Sequence, residues 1–262
     1  MLRDDHGGGW PRTPIRTTRG RLTLPRRIDS RPRHQQVAAD LRAQIMAGLL
    51  RADEQLPSTP QIAERYECAT ATVQGAIKLL KDEGFIEGRP GKGVFVRHRQ
   101  LFVVTATAYK TPSPGGYSYD LLHVKEVQPP VDIAHALGLE ENEKAVERHR
   151  VLRHASDPIE LSWSYYPLRI AAGTPLAGRG KIKGGAPRVL ADLGFPERRL
   201  EDRVSVRQPR TEEIESLDLP AEVPVIRQFR VIYSDDNMPV EVSILVKGGH
   251  LFEVLYQQDA ES

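Results

Sequence analysis

Residues 56–96 constrain the fold of this chain more than any other stretch, because they combine two short helical patterns, a tight turn and a glycine-rich hairpin. The first helix begins at Ser58 or Thr59, either of which can cap it, and Pro60 suits a first helical position. An amphipathic helix over residues 36–47 precedes the pair and would bury its apolar stripe against both. This order predicts a winged helix-turn-helix, whose second helix enters a groove of DNA.

The second helix of the pair, predicted over residues 70–83, has a clear inner and outer side. Val73, Ala76, Ile77 and Leu80 recur at helical spacing and would be buried, and Gly84 suits the left-handed residue that ends a helix. The hairpin that follows carries basic residues at its tip, where they could contact phosphates. The candidate DNA contacts are polar and basic residues of the two helices and the hairpin: Ser58, Thr59, Gln61, Thr70, Thr72, Gln74, Lys78, Arg89 and Lys92.

Residues 1–33 are rich in arginine, with nine arginines against three aspartates, and they show no apolar repeat. We expect a disordered basic arm that adds phosphate contacts whose strength falls with salt. The alternatives are a solvated extension or a wrongly assigned start codon.

Length and composition predict two domains and exclude several classes of protein. The chain has 262 residues and a net charge of +2, and no apolar run approaches the roughly 20 residues of a membrane helix. The N-terminus lacks the apolar centre of a secretory signal, and the lone Cys68 fits a reducing compartment and a packing role. We therefore expect a cytoplasmic protein with an arm over residues 1–33, a reading head over residues 34–98 and a second domain over residues 99–262.

The second domain alternates apolar and polar residues, which predicts strands. These are predicted over residues 101–106, 121–127, 145–153, 159–166, 200–208, 223–233, 238–246 and 251–256, the last closing the sheet. Helices are predicted over residues 131–137, 187–193 and 211–217. Residues 111–119 predict a flexible polar loop, residues 168–185 have only a weak pattern, and Ser156, Asp157 and Pro158 form a predicted turn. A mixed, mostly antiparallel sheet interrupted by single helices is an α+β domain.

Polar residues two apart on these strands predict a ligand site. Arg148 and Arg150 share one face of a strand and suit an anionic or phosphorylated ligand. The next strand places Glu160, Ser162 and Ser164 on one face, and a later strand pairs a glutamate with a serine. The candidate ligand contacts are Arg148, Arg150, Glu160, Ser162, Glu241 and Ser243. The alternative is a cross-strand salt bridge between Arg148 and Glu160 on a solvated face.

The reading head resembles the DNA-binding domain of the GntR family of bacterial transcription regulators. The resemblance lies in LPS at residues 56–58, IAERY at 62–66, ATV at 71–73, LKDEGFIE at 80–87 and GKGVFV at 91–96. At three positions where the family commonly has arginine, this chain has Pro60, Thr70 and Gln74. Because arginine reads guanine whereas glutamine prefers adenine, we expect an operator unlike the usual family site, read by Thr70, Thr72 and Gln74. Acidic and basic residues nearly balance in the head, so the arm would restore part of the lost charge.

The second domain resembles the UTRA domain of the HutC branch of that family, whose fold is similar to chorismate lyase. Residues 147–167, 193–204 and 223–246 carry this resemblance. It implies an effector pocket that includes Arg148, Arg150, Glu160 and Glu241, and a homodimeric repressor released from double-stranded DNA by a small molecule. Two alternatives remain: a dimerisation scaffold without an effector, and an enzyme with a lyase-like fold. No nucleophile motif or metal-ligand spacing supports catalysis, and we expect no catalytic residue, metal or cofactor.

Overall fold

A computed structural model describes residues 29–98, 102–105, 117–220 and 223–256. The reading head contains α1 (Arg33–Met46), α2 (Thr59–Arg65), α3 (Thr70–Asp82), β1 (Ile86–Arg89) and β2 (Gly93–Val96). The second domain begins with β3 (Phe102–Thr105), β4 (Tyr117–Val127), α4 (Val131–Ala136), β5 (Ala145–His154), β6 (Asp157–Pro167) and α5 (Leu168–Ala171). It continues with α6 (Gly185–Asp192), β7 (Arg199–Arg207), α7 (Thr211–Leu217), β8 (Val225–Tyr233), β9 (Pro239–Gly248) and β10 (Phe252–Leu255).

The three helices of the reading head enclose one apolar core. Val37 and Leu41 of α1 and Val73 and Leu80 of α3 belong to it, and each is at most 2% exposed. Gly84 ends α3 with φ +69°, in the left-handed region where glycine is least strained. Strands β1 and β2 then pair antiparallel as a wing. The predicted winged helix-turn-helix is confirmed.

An ion pair fastens α1 to the end of α3. Arg42 donates to both carboxylate oxygens of Glu83, at 2.8 Å from Nε and 2.5 Å from an Nη atom. The Glu83 side chain is 1% exposed, whereas that of Arg42 is 24% exposed. The same guanidinium lies 5.7 Å from the ring centre of Phe85, where the wing begins. The Arg42 side chain of α1 therefore contacts both the end of α3 and the start of the wing. The apolar pattern alone predicts only that these elements pack together.

Six strands of the second domain form one antiparallel sheet in the order β4-β5-β6-β9-β8-β7. One face packs Leu161, Val231 and Val242 against α4 and α7 in the largest apolar cluster. On the other face, one end of the strands packs against α5 and α6, and the opposite end packs against β10. These two apolar clusters leave the middle of that face for polar side chains.

The predicted closing strand is the main error in the expected topology. Residues 252–255 pair in parallel with β3, Phe252 opposite Phe102, in a separate two-stranded sheet, and they do not extend the large sheet. The two phenylalanine rings stack with centroids 5.1 Å apart and bury this small sheet against Leu152 and Ile159. Alternation gave the correct structural state for this segment, but it carries no information about the partner strand.

Three local predictions also need correction. Residues 117–119, expected in a loop, belong to β4, where Tyr117 pairs with His154; residues 111–116 lie outside the described part. The turn after β5 is formed by Ala155 and Ser156, with φ +54° at Ala155, so Asp157 already belongs to β6. The weakly patterned residues 168–185 contain the short helix α5.

The first described residues precede α1 directly, and the predicted arm over residues 1–28 lies outside the described part. Helix α1 begins at Arg33, three residues before the predicted start, with Pro32 at its N-cap. Among the described residues, no helix is both long enough and apolar enough to cross a membrane.

Candidate DNA interface and ligand site

Helix α3 presents a polar outer side. Thr70, Gln74 and Lys78 are exposed and Thr72 is half-buried, because the helical period directs Val73 and its apolar neighbours into the core. The side chains of Thr70 and Gln74 reach no other side chain through a hydrogen bond among the described residues. They are therefore available to the edges of bases.

The start of α2 uses two predicted DNA contacts for its own cap. The amide oxygen of Gln61 accepts hydrogen bonds from the backbone N–H and the hydroxyl of Ser58, both at 2.8 Å. This arrangement satisfies a donor that a helix start leaves open. Ser58 and Gln61 remain exposed and Thr59 is half-buried, so any DNA contact made by this end would come from side chains that are already held in place.

Basic residues near α3 are mostly paired within the reading head. Lys78 lies 2.5 Å from Asp82. Arg89 pairs with Asp53 and with Glu87, and it lies 4.5 Å from the ring centre of Phe95. Lys92, at the exposed tip of the wing, makes no ion pair within the part of the chain that the structure describes. The carboxylates of the reading head therefore offset much of the positive charge that it could use to contact DNA phosphates.

The middle of the large sheet carries a row of polar side chains across five adjacent strands. The register aligns Arg148, Ser164, Ser243, Arg230 and Asp202. Neighbouring rows add further polar side chains, and we call the whole set the polar band: Arg148, Arg150, Glu160, Ser162, Ser164, Asp202, Gln228, Arg230, Glu241, Ser243 and Lys247. All six predicted ligand contacts are members of it.

A chain of hydrogen bonds crosses the centre of the polar band. An Nη atom of Arg150 donates to the Ser164 hydroxyl at 2.6 Å, and the Ser164 and Ser243 hydroxyls lie 2.7 Å apart. The Ser243 hydroxyl donates to Glu241 at 2.6 Å. Burial, followed by the nearby Glu241 carboxylate, raises the pKa of the fully buried Tyr166 well above its ordinary value. These groups form a stiff, water-poor site.

Arg148 has backbone partners in place of a carboxylate. It is 3% exposed, and one Nη atom donates to the carbonyls of Leu176 at 2.8 Å and Gly178 at 2.6 Å. Its Nε has no hydrogen-bond partner among the described residues. Burial lowers the pKa of this guanidinium, although arginine remains charged at neutral pH.

The alternative salt bridge between Arg148 and Glu160 does not form. The register places Arg148 opposite Ser164 and Glu160 opposite Leu152, two rows apart. Glu160 instead pairs with Lys247 at 2.8 Å, on a buried part of the face.

Four residues of the polar band were missed by sequence reasoning. Lys247 lies 3.3 Å from Gln228, Gln228 donates to Asp202 at 2.9 Å, and Asp202 pairs with Arg230 at 2.7 Å. The available signal was polar residues at alternate positions of otherwise apolar strands.

Within the described residues, no group of three or more histidine, cysteine or acidic side chains could hold a metal ion.

The architecture is that of a DNA-binding transcription regulator whose second domain carries a largely buried band of polar side chains. Family models agree: the model for bacterial regulatory proteins of the GntR family matches residues 33–96, and the UTRA domain model matches residues 115–253. The chain belongs to the GntR family, in its HutC branch with a UTRA domain, and it is a transcription regulator rather than an enzyme.

Relatives support this over nearly the whole length. An HTH-type transcriptional regulator of Streptomyces coelicolor is 28% identical over 251 residues, which is 86% of this chain and 92% of the relative. The regulator PhnF of Escherichia coli is 24% identical over 84% of this chain and 93% of its own length.

Solved structures share the fold. A crystal structure of a GntR-family transcriptional regulator is 25% identical, with a TM-score of 0.60 over 88% of this chain and 99% of that chain. PhnF from Mycobacterium smegmatis, at 19% identity, has a TM-score of 0.55 over 86% of this chain and all of its own.

Proposed function

We propose that this regulator is a cytoplasmic homodimeric repressor that binds a two-fold operator and is released by a small anionic effector bound in the polar band. The observation that carries the proposal is the buried Arg148, which is held by carbonyls and has an open Nε. A buried polar atom without a partner is costly, so a ligand that supplies an acceptor there gains binding energy.

The charges of the polar band favour an anion. It contains four cationic side chains and three acidic ones. Lys247 pairs with Glu160 and Arg230 pairs with Asp202. The band holds two further arginines, Arg148 and Arg150, and one further carboxylate, that of Glu241, and this surplus of cationic side chains suits an anionic ligand such as a carboxylate or a phosphate monoester. Backbone residues 176–178 cover Arg148 and would move to admit it.

A short route connects the polar band to the reading head. Lys247 lies three residues before His250, whose ring lies 6.2 Å from that of Phe85 in the head. Gly248 and Gly249 allow this tight path, since a Cβ on Gly249 would lie 2.7 Å from the Pro224 carbonyl oxygen. A ligand that disturbs the Lys247–Glu160 pair would shift this contact, and operator affinity falls if the ligand favours that arrangement.

The test combines binding and release. Thermal shifts are measured for the full chain with inorganic phosphate, sugar phosphates and small carboxylates, and any stabilising compound is then added to a gel shift on an operator obtained by selection. Wild type should be stabilised and released by the same compound. Arg148→Gln and Arg150→Gln should lose both effects, whereas Arg153→Gln, on the opposite face of β5, should retain them.

The outcomes separate this function from its alternative. No stabilisation by any compound, with operator binding intact, would favour a dimerisation scaffold without an effector. Stabilisation that the two arginine variants retain would place the ligand elsewhere and would refute the role of the polar band.

A further inference from the structure

Four arginines gather at the face of the large sheet that lies opposite the polar band. The register of β7 and β8 pairs Asp202 with Arg230, both in the polar band, and Arg203 with Phe229, which therefore face the other way. Alternate positions of the same two strands add two more arginines to this face, and the N-cap residue of α7 is another. We call this set the arginine cluster: Arg203, Arg207, Arg210 and Arg227.

Two of these arginines converge over one aromatic ring. Cζ of Arg203 lies 4.3 Å from the ring centre of Phe229, and Cζ of Arg227 lies 5.2 Å from the same centre. The register places Ser205 opposite Arg227, so Arg227 lies alongside the stretch of β7 between Arg203 and Arg207. The ring attracts both guanidinium groups and helps to hold them in place. One small ligand could therefore contact both.

A buried carboxylate fixes the other end of the arginine cluster. Two Nη atoms of Arg207 donate to the carboxylate of Glu213, at 2.7 Å and 2.6 Å, and the backbone N–H of Arg210 donates to it at 2.8 Å. The Glu213 side chain is 2% exposed, whereas that of Arg207 is 30% exposed. The end of β7 and the start of α7 are thus ordered before any ligand binds, which lowers the entropic cost of binding.

The arginine cluster carries more positive charge than its ion pairs neutralise. Within the part of the chain that the structure describes, it forms ion pairs only with Asp132 and Glu213. The Asp132 carboxylate lies 3.5 Å from Arg227 and is 57% exposed, so this pair stabilises little. Burial lowers the pKa of Arg227 and the three other arginines lower it further, against the effect of Asp132, yet arginine remains charged at neutral pH. Arg203 and Arg210 therefore have no paired carboxylate among these residues.

Phosphate groups fit this arrangement well. A guanidinium group can donate two parallel N–H bonds to a phosphate, and two neighbouring guanidinium groups suit a ligand with two linked phosphates. A long nucleic acid fits less well, because residues 99–262 contain 20 basic and 24 acidic residues, and this domain as a whole would repel it.

We infer that the arginine cluster is an anion site separate from the polar band, and that it binds a small ligand with a diphosphate group. The cluster lies at the end of β8 that meets the reading head, since Val223, just before β8, is 2% exposed in the core of the head. The two sites lie on opposite faces of the sheet, so each can be tested without the other.

Calorimetric titration of the full chain with pyrophosphate, at constant ionic strength, tests this site. Wild type is compared with Arg203→Gln, and the comparison is repeated in proteins that carry Arg150→Gln, in which the polar band lacks one of its arginines. Arg203→Gln removes one charged fork and should weaken pyrophosphate binding by about tenfold or more in both backgrounds.

Arg199→Gln is the matched control for this substitution. Arg199 lies on the same strand and the same face, 3.9 Å from the ring centre of Tyr233 and paired with Glu201. Its replacement removes a similar charge and a similar ring contact outside the arginine cluster, so it should leave pyrophosphate binding unchanged. Circular dichroism checks that each variant is folded.

The possible results separate the ligand from other causes. No pyrophosphate binding by wild type, or equal affinity in wild type and Arg203→Gln, would overturn the inference. An equal loss in Arg199→Gln would show that only overall charge matters, and would overturn it too. If the salt slope of operator binding falls in Arg203→Gln, by about 0.9 for each lost phosphate contact, the cluster binds DNA instead. Failure of the polar band as an effector site would appear in different variants, Arg148→Gln and Arg150→Gln.

Discussion

Gln74 is exposed on the outer side of α3. Its amide can both donate to and accept from an adenine edge. Gln74→Ala should therefore cost about 1–3 kcal/mol of operator binding and relax one operator position. Binding of wild type and variant to a set of single-base operator variants measures this. A uniform loss over all sequences would mean that Gln74 contacts only phosphate.

Burial of His149 makes the stability of the fold depend on pH. It is 3% exposed and stacks on Trp163 with ring centroids 4.4 Å apart. Burial, and then the nearby His123, lowers the pKa of His149 to about 4. The unfolded chain, with an ordinary histidine pKa near 6.5, binds the proton first, so His149 costs stability as the pH falls from about 6.5 to 4.

His149→Gln should remove that loss. Between pH 7 and pH 4.5 the variant should lose less free energy of unfolding than wild type, by on the order of 2 kcal/mol. Urea unfolding followed by circular dichroism at each pH measures it. His135→Gln, at an exposed position of α4, should behave as wild type. Parallel curves for wild type and His149→Gln would contradict the lowered pKa.

The ion pair between Arg42 and Glu83 joins α1 to the end of α3. Arg42→Ala leaves the buried Glu83 carboxylate without its partner, which should destabilise the head by on the order of 3 kcal/mol. Lys78→Ala, which breaks an exposed pair within α3, should cost less than about 0.5 kcal/mol. Thermal unfolding of both variants compares the two, and equal small losses would mean that Glu83 reaches solvent once Arg42 is gone.

Elements were predictable from sequence wherever the signal is local. Caps, helical spacing and Gly84 placed α2, α3 and the wing, because each depends on residues within a few positions. The pairing of strands that are far apart in sequence was harder to predict. The two faces of β5 and β6 were predicted, but the register that gives Arg148 a serine opposite it, and Glu160 a lysine, depends on how strands far apart in sequence align.

The same limit explains the missed part of the candidate site. Gln228 and Arg230 lie on β8 and Lys247 lies on β9, and only the assembled sheet places them on the same face as Arg148 and Arg150. The small sheet of β3 and β10 was missed for a related reason, since the paired residues Phe102 and Phe252 lie near the two ends of the second domain. Alternation of apolar and polar residues predicts which face of a sheet a residue occupies, but it does not predict which strand lies next to it.

At the scale of the whole molecule, the reading head and the second domain share a buried contact. Val223 of the second domain is 2% exposed within the core of the head, and His250 lies against Phe85. Val223→Ala should therefore lower the stability of the head by about 1–2 kcal/mol, although it lies outside the head in sequence. Calorimetry of the full chain measures the shift. Val206→Ala, at an exposed position of β7, is the control.

If the contact between the two domains transmits the effect of a bound ligand to the reading head, His250→Ala should still bind the operator. It should respond less than wild type to any compound that releases wild type. Retention of the full response would show that the signal takes another route. An unchanged transition temperature in Val223→Ala would show that the two domains are held together elsewhere.

Selection from a random duplex pool by the full chain tests most directly whether the reading head recognises a specific two-fold DNA site. We expect enrichment of a site with two inverted half-sites, differing from arginine-read family sites and containing a position that loses its preference in Gln74→Ala. A pool that shows no enrichment over random sequence, or a single unrepeated half-site, would contradict the account.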